Sequence, residues 1–94
     1  MIDIGSVVRL SPKARLRFDR HSGKHMLLYP EHGIELSQTA ADVLVLCTEA
    51  RRVETIVDGL VEKYGPPSRD AIVRDVVELL QGLADRGLVG EVEL

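Results

Sequence analysis

Three histidines, one cysteine and fifteen carboxylates are the side chains with which this 94-residue chain could do chemistry. His21, His25 and His32 are the only nitrogen ligands for a metal, with Cys47 the single thiol. No pair falls on one helix at H-x₃-H spacing, and no C-x₂-C is present, so zinc chemistry has no framework. His21 and His25 flank a turn and could meet, but two ligands make no site. Cys47 closes the run Val43-Leu44-Val45-Leu46-Cys47. Apolar surroundings raise a thiol pKa, so the sequence predicts an inert structural cysteine rather than a nucleophile. The carboxylates available for acid–base work include Asp42, Glu54, Asp58, Glu62, Asp70, Asp75, Glu78 and Asp85. Their i, i+3 and i, i+4 spacings are those of solvated helix faces. Asp70 suits the positive end of a helix dipole, and Asp75 borders an apolar stripe where it could bond a neighbouring segment. No phosphate-binding glycine loop or nucleophile elbow occurs. Phe18, Tyr29 and Tyr64, the only aromatics, are too few for a base-stacking platform. The reading is of a chain that is not an enzyme and carries neither metal nor cofactor.

Positioning these residues requires elements. Residues 1–14 show no period and contain Pro12, which predicts a loose or partner-dependent N-terminal arm ahead of a single domain spanning 15–94. Arg15-Leu16-Arg17-Phe18-Asp19-Arg20 alternates polar and apolar, as a half-buried strand does. A turn at Gly23 leads into His25–Tyr29, a second strand that Pro30 ends. A turn at Glu31-His32-Gly33 leads to a short third strand, Ile34–Leu36. A lone three-stranded meander is marginal and needs cover on one face. Ser37 caps a first helix to about Thr48, apolar nearly all round and therefore central. Glu49–Arg52 forms a charged turn before a second helix, Val53–Tyr64, stopped by Gly65-Pro66-Pro67. Ser68 caps a third helix to about Arg86, with Gly87 in the left-handed region and Gly90–Leu94 as a frayed tail or small strand. The fold class is α+β, a three-stranded antiparallel β-meander followed by a three-helix bundle.

The third helix has more apolar surface than one packed side requires. With Ile72 at zero and 100° per residue, its apolar positions cover roughly 160°, against about 100° for a one-sided stripe. Either two neighbours wedge it, or one flank lines a groove. Val73, Val77 and Ala84 form the outer flank, with Leu80 beside them. Gly82 lies on the polar side, at a cost of about 1 kcal/mol relative to Ala.

Size and charge narrow the choice. One small core leaves no volume for a deep active site. With 45% apolar residues and a net charge of −3 the chain is not disordered. Its longest apolar run is five residues, Val43–Cys47, and its start lacks a basic, apolar leader. A cytoplasmic protein without membrane contact is expected. Residues 1–36 carry six Lys/Arg against four Asp/Glu, and residues 37–94 carry six against eleven. Neither part has the basic stripe of a nucleic-acid binder. What remains is a binding module: an edge strand beside an apolar helix flank is suited to accept a peptide by β-addition.

The segments Arg15-Leu16-Arg17-Phe18-Asp19-Arg20, Leu27-Leu28-Tyr29-Pro30-Glu31 and Glu35-Leu36-Ser37-x-Thr39-Ala40 resemble the pyrroloquinoline quinone biosynthesis protein D (PqqD) family. So do Val53-x-x-Ile56-Val57-x-x-Leu60, Asp75-Val76-x-x-Leu79-Leu80-x-x-Leu83 and Gly87-Leu88-Val89. The likeness runs from about Leu10 to Val89. It departs after the first helix, where the family has Asp-Gly and this chain has Thr48-Glu49-Ala50. The resemblance implies a winged-helix-like peptide chaperone. Such a protein binds the precursor peptide of pyrroloquinoline quinone as an extra strand. It presents that peptide to a radical S-adenosylmethionine (SAM) enzyme, which crosslinks a glutamate and a tyrosine. The expected peptide contacts are Gly33, Ile34, Glu35 and Leu36 on the third strand and Val73, Val76, Val77 and Leu80 on the third helix. The alternative is a winged-helix DNA-binding regulator, opposed by the third helix, where Arg69, Arg74 and Arg86 face four carboxylates. Exchange of the arm or hairpin between two chains would give a homodimer.

Overall fold

The computed structural model describes residues 1–30, 32–65 and 68–93. The expected meander is present as β2 (Arg15–Asp19), β3 (Lys24–Tyr29) and β4 (His32–Leu36), antiparallel in the order β2-β3-β4. The register places Leu16 opposite Leu27 and Leu27 opposite Ile34. Leu16, Phe18, Leu27, Ile34 and Leu36 therefore share one face by the two-residue period. On the other face Arg17, Met26 and Glu35 stand in a row, as do Arg15, Leu28 and Gly33. Gly23 makes the β2–β3 turn at φ 70°, where a Cβ would be strained. His32 and Gly33, expected in a turn, extend β4 to five residues. Glu31, the other residue of that turn, lies outside the described residues, as do Pro66, Pro67 and Leu94.

Helix α1 (Gln38–Leu46) starts where Ser37 Oγ accepts the Ala40 N–H at 3.1 Å, and it ends two residues short of Thr48. Helix α2 (Val53–Tyr64) and helix α3 (Arg69–Asp85) follow. Ser68 Oγ caps α3 by accepting the Ala71 N–H at 3.1 Å. At its other end Gly87 (φ 75°) allows the Leu88 N–H to reach back to Leu83 O at 2.9 Å. Leu27, Leu44, Ile56, Leu80, Val8 and Val57 are all enclosed in one core, each worth about 1.5–3 kcal/mol in transferred apolar surface.

The N-terminal segment corrects the expectation of a loose arm. Its strand β1 (Val7–Leu10) is the centre of a second antiparallel sheet, ordered β5-β1-β6. Strand β5 is Arg51–Arg52, within the expected charged turn, and β6 is Val89–Glu91. Val8 pairs with both Arg51 and Glu91. Upstream, Ile2 is 3% exposed and its N–H bonds Gln81 Oε1 on α3 at 2.8 Å. The same segment caps α2, which has no capping side chain of its own. The Val53 N–H reaches Ser6 O at 2.8 Å and the Glu54 N–H reaches Ile4 O at 3.0 Å. These bonds satisfy donors that a helix start leaves unpaired.

Candidate functional site

Strand β4 is one edge of its sheet, so its outer backbone groups have no ladder partner within that sheet. Helix α3 runs beside it in the opposite sense. At one end, Arg86 just past α3 donates from Nη2 to Tyr29 Oη at 2.8 Å, and Tyr29 pairs with His32 at the start of β4. At the other end β4 leads through Ser37 into α1, whose Thr39 shares a cavity with Ile72, Asp75 and Leu79 of α3. Strand β4 is about 17 Å long for its five residues. Two depressions along α3 between these points form the helical wall of the groove, one lined by Ile72, Asp75 and Leu79 and the other by Asp75, Leu79, Gly82 and Arg86. The Arg86–Tyr29 bridge closes one end, with the guanidinium 5.9 Å from the ring centroid.

The cavity at the Thr39 end measures 190 Å³ and is walled by Val43, Leu60, Tyr64, Ile72, Val76 and Leu79. That is room for an apolar side chain of a bound segment. Its rim is held by Asp42, which accepts from Tyr64 Oη, from Lys63 Nζ at 3.0 Å and from Gln38 Nε2 at 3.1 Å. Partial burial works to raise the Asp42 pKa, but these three donors outweigh it and hold the carboxyl below its ordinary value of 3.8. The same contact with Asp42 raises Tyr64 and Lys63 above their ordinary values. The wall itself is acidic: Asp75 and Glu78 are exposed and form no ion pair among the described residues, and Glu35 of β4 reaches away to Lys24 at 2.8 Å. The hydrogen bond imagined for Asp75 is absent among the described residues; its carboxylate stands on the groove wall.

The residues expected to hold a peptide are divided by the structure. Gly33, Ile34, Glu35 and Leu36 lie together on the open edge, with Leu36 turned into the core. Leu80 (0% exposed) is enclosed between α3 and the core; Val76 (2% exposed) is buried too, and its side chain forms part of the wall of the 190 Å³ cavity. Val73 and Val77 line a different depression, on the flank where Met1, Ile2, Asp3 and Ile4 pass over α3. The N-terminal segment passes over that flank of α3, and Val73 and Val77 are partly buried beside a depression of 780 Å³. The opposite flank carries Ile72 and Leu79, also partly buried, which line the 190 Å³ cavity. Leu79, Gly82 and Arg86, absent from the expected contacts, line a depression on this face of α3. A Cβ at Gly82 would meet nothing within 4 Å, and Gly82 also lines the depression on the other flank.

The candidate reactive groups take structural places. Cys47 is buried and its Sγ lies 3.5 Å from Leu44 O as donor; burial pushes the thiol up to about 11, so it stays protonated at neutral pH. His25 packs on Phe18 with ring centroids 4.7 Å apart, and its Nε2 lies 3.2 Å from Gln38 Oε1. His32 packs on Tyr29 at 5.4 Å. Among the described residues no group of three or more His, Cys, Asp or Glu is placed to hold a metal, and no helix is long and apolar enough to cross a membrane.

Residues 24–89 match the family described as Coenzyme PQQ synthesis protein D (PqqD). A PqqA binding protein of Rhodopseudomonas palustris strain TIE-1 is 41% identical over 78 residues, 83% of this chain and 76% of the relative. One from Methylococcus capsulatus is 34% identical over 87 residues, 93% of this chain and 90% of the relative. Among solved structures, the PqqD part of Methylobacterium extorquens PqqCD superposes with a TM-score of 0.76 at 34% identity, covering 89% of this chain and 88% of that one. That protein is described as a stand-alone recognition element for ribosomally synthesized and post-translationally modified peptides. TbiB1, solved with the TbiA(β) leader peptide, shares the fold at TM-score 0.75 and 22% identity, covering 92% of this chain and 99% of that one.

Proposed function

The chain belongs to the coenzyme PQQ synthesis protein D family, and from that membership we propose that it is a non-catalytic chaperone for PqqA, the precursor peptide of pyrroloquinoline quinone. The observation that carries the reading is the open edge of β4 lying beside a groove walled by α3 and ended by an apolar cavity. An extended peptide adds to β4, its backbone bonding the edge groups that the sheet leaves unpaired. Alternate side chains then face the α3 wall. One apolar side chain enters the cavity beside Ile72, Leu79 and Tyr64, and the Arg86–Tyr29 bridge limits how far the peptide can slide. The names of the relatives, PqqA binding proteins, support the choice of ligand. Once held as a strand, the peptide loses conformational freedom before it reaches the enzyme that modifies it. That enzyme is a radical SAM enzyme that crosslinks glutamate to tyrosine, and its action takes place in the cytoplasm.

The contacts proposed are the backbone of Gly33, Ile34, Glu35 and Leu36 with the side chains of Ile72, Asp75, Leu79 and Arg86. Titration of ¹⁵N-labelled protein with synthetic PqqA tests this. The amides of residues 33–36 and of the α3 wall are expected to shift. Shifts confined to α2, or to the Val73–Val77 flank, would sink the placement. Addition of the radical SAM enzyme to the complex tests presentation: crosslinking that runs equally well without this protein would remove the chaperone role.

A further inference from the structure

The β2-β3-β4 sheet has a second open edge, β2, on the side away from the groove. Its chemistry is the reverse of that at β4. Arg15 and Arg17 stand exposed on one face of β2, with Arg20 following, and none of the three forms an ion pair among the described residues. The carboxylate of Asp19, the acidic residue of this strand, turns into the hairpin and accepts the His21 N–H at 2.9 Å. On the other face of β2, Phe18 is 51% exposed, and Val45 of α1 is 59% exposed beside it. Both line a depression of 210 Å³ together with Leu16, His25, Leu36 and Ala41, and Arg17 and Met26 of the other face reach its rim. Val45 corrects the expectation of a helix enclosed all round. Among the described residues Val45 and Phe18 are the most exposed large apolar side chains after Met1, ahead of Tyr64 and Ile4.

We infer that the β2 edge is a docking site for an extended segment of another protein in which acidic and apolar residues alternate. A strand added to β2 has side chains on two faces. Those level with Arg15 and Arg17 meet two guanidinium groups; those level with Leu16 and Phe18 reach the depression that Val45 borders. Acidic residues on one face and apolar residues on the other complement both. A second copy of this chain fits poorly. Pairing β2 with β2 about a twofold axis would bring arginines against arginines. A run of the required pattern in this chain, Glu91-Val92-Glu93, is already engaged through the Val92 N–H on Val7 O at 2.8 Å. Nucleic acid would satisfy the arginines but leave the apolar face uncovered. The inference is independent of the peptide-binding reading, since it rests on the opposite edge.

The test is an NMR titration with two short synthetic peptides, one alternating Glu with Val and one alternating Lys with Val. The Glu peptide is expected to shift the amides of residues 15–19 and of Val45, and the Lys peptide to leave them still. In the R15E/R17E variant this preference should reverse, with Glu-peptide affinity down about tenfold. Phe18→Ser should weaken the Glu peptide without reversing the preference. These side chains are exposed, so each variant should unfold at the wild-type temperature and keep its response to PqqA. Equal shifts from both peptides, Glu-peptide shifts at β4 instead of β2, or stronger shifts at β2 from duplex DNA at the same salt would each overturn the proposal.

Discussion

The two edges of the β2-β3-β4 sheet offer the same backbone chemistry in opposite electrostatic settings. β2 presents Arg15 and Arg17 beside an exposed phenylalanine. β4 presents Gly33 and Glu35, and the face of α3 proposed as the other wall of its groove carries the carboxylates Asp75 and Glu78. A strand edge accepts almost any extended chain, and it is a hazard unless something selects its partner. In the proposed scheme charge makes the selection: like charges at close quarters would reject the wrong segment at either edge. The even net charge of −3 conceals this division, because the sheet and the bundle carry opposite surpluses.

Changes to the shared strand should have the largest effect. Leu27, fully enclosed between the two edges, when replaced by Ala should cost about 3 kcal/mol and abolish binding at both. Chemical denaturation with the two titrations checks this; loss at one edge alone would mean the edges are not mechanically coupled. Next in size, Leu79→Ala removes a wall of the apolar cavity and should weaken PqqA about tenfold, roughly 1.4 kcal/mol, while sparing β2. Calorimetry decides it, and unchanged affinity would place the peptide elsewhere. Gly82→Ala should stabilise α3 by about 1 kcal/mol, because the new methyl group meets no atom. It should also narrow the groove, so stability rises as PqqA affinity falls severalfold. A rise in both would move the peptide off Gly82.

The smallest effect concerns acid. Asp42 is held below its ordinary value, so its contribution is present above about pH 3.8 and is lost as the pH falls through its lower folded value. Acid should therefore loosen Tyr64 and the cavity beside β4 before it disturbs β2. Asp42→Asn should flatten the acid limb of the stability curve. Followed by NMR, simultaneous loosening at both edges would break the distinction.

The parts of the fold written in local pattern were legible in the sequence. The alternation of residues 15–20, the turn at Gly23, the caps Ser37 and Ser68 and the stop at Gly87 each act over a few residues, and each is where it was expected. The β5-β1-β6 sheet was not legible, since strands of two to four residues have no period to detect. They exist because Val8 can pair with Arg51 and Glu91, residues far away in sequence. Likewise no capping residue announces α2; its caps are the carbonyls of Ile4 and Ser6.

The N-terminal segment also bears on the proposed site. The apolar arc of α3 is visible in the periodicity, but the position of Met1–Ile4 beside Val73 and Val77 is not. With Ile2 anchored on Gln81, that flank carries the N-terminal segment, and the flank with Leu79 lines the apolar cavity. The edge position of β4 was legible, because it follows from strand order. What lies over each flank of α3 depends on a long-range contact that periodicity does not contain.

The pairing of β1 with β6 also has a consequence in time. It joins Val8 to Glu91 and Leu10 to Val89, nearly the whole chain apart. Closing so long a loop costs entropy before any contact repays it, whereas β2, β3 and β4 are joined by short turns. The meander is therefore expected to form early and the β1–β6 clasp late. A kinetic experiment should find mutations at Val8 acting mainly on unfolding rates and mutations at Leu27 on folding rates. In a chain still being synthesised, both strand edges would emerge before the clasp that completes α2 and covers the far side of α3.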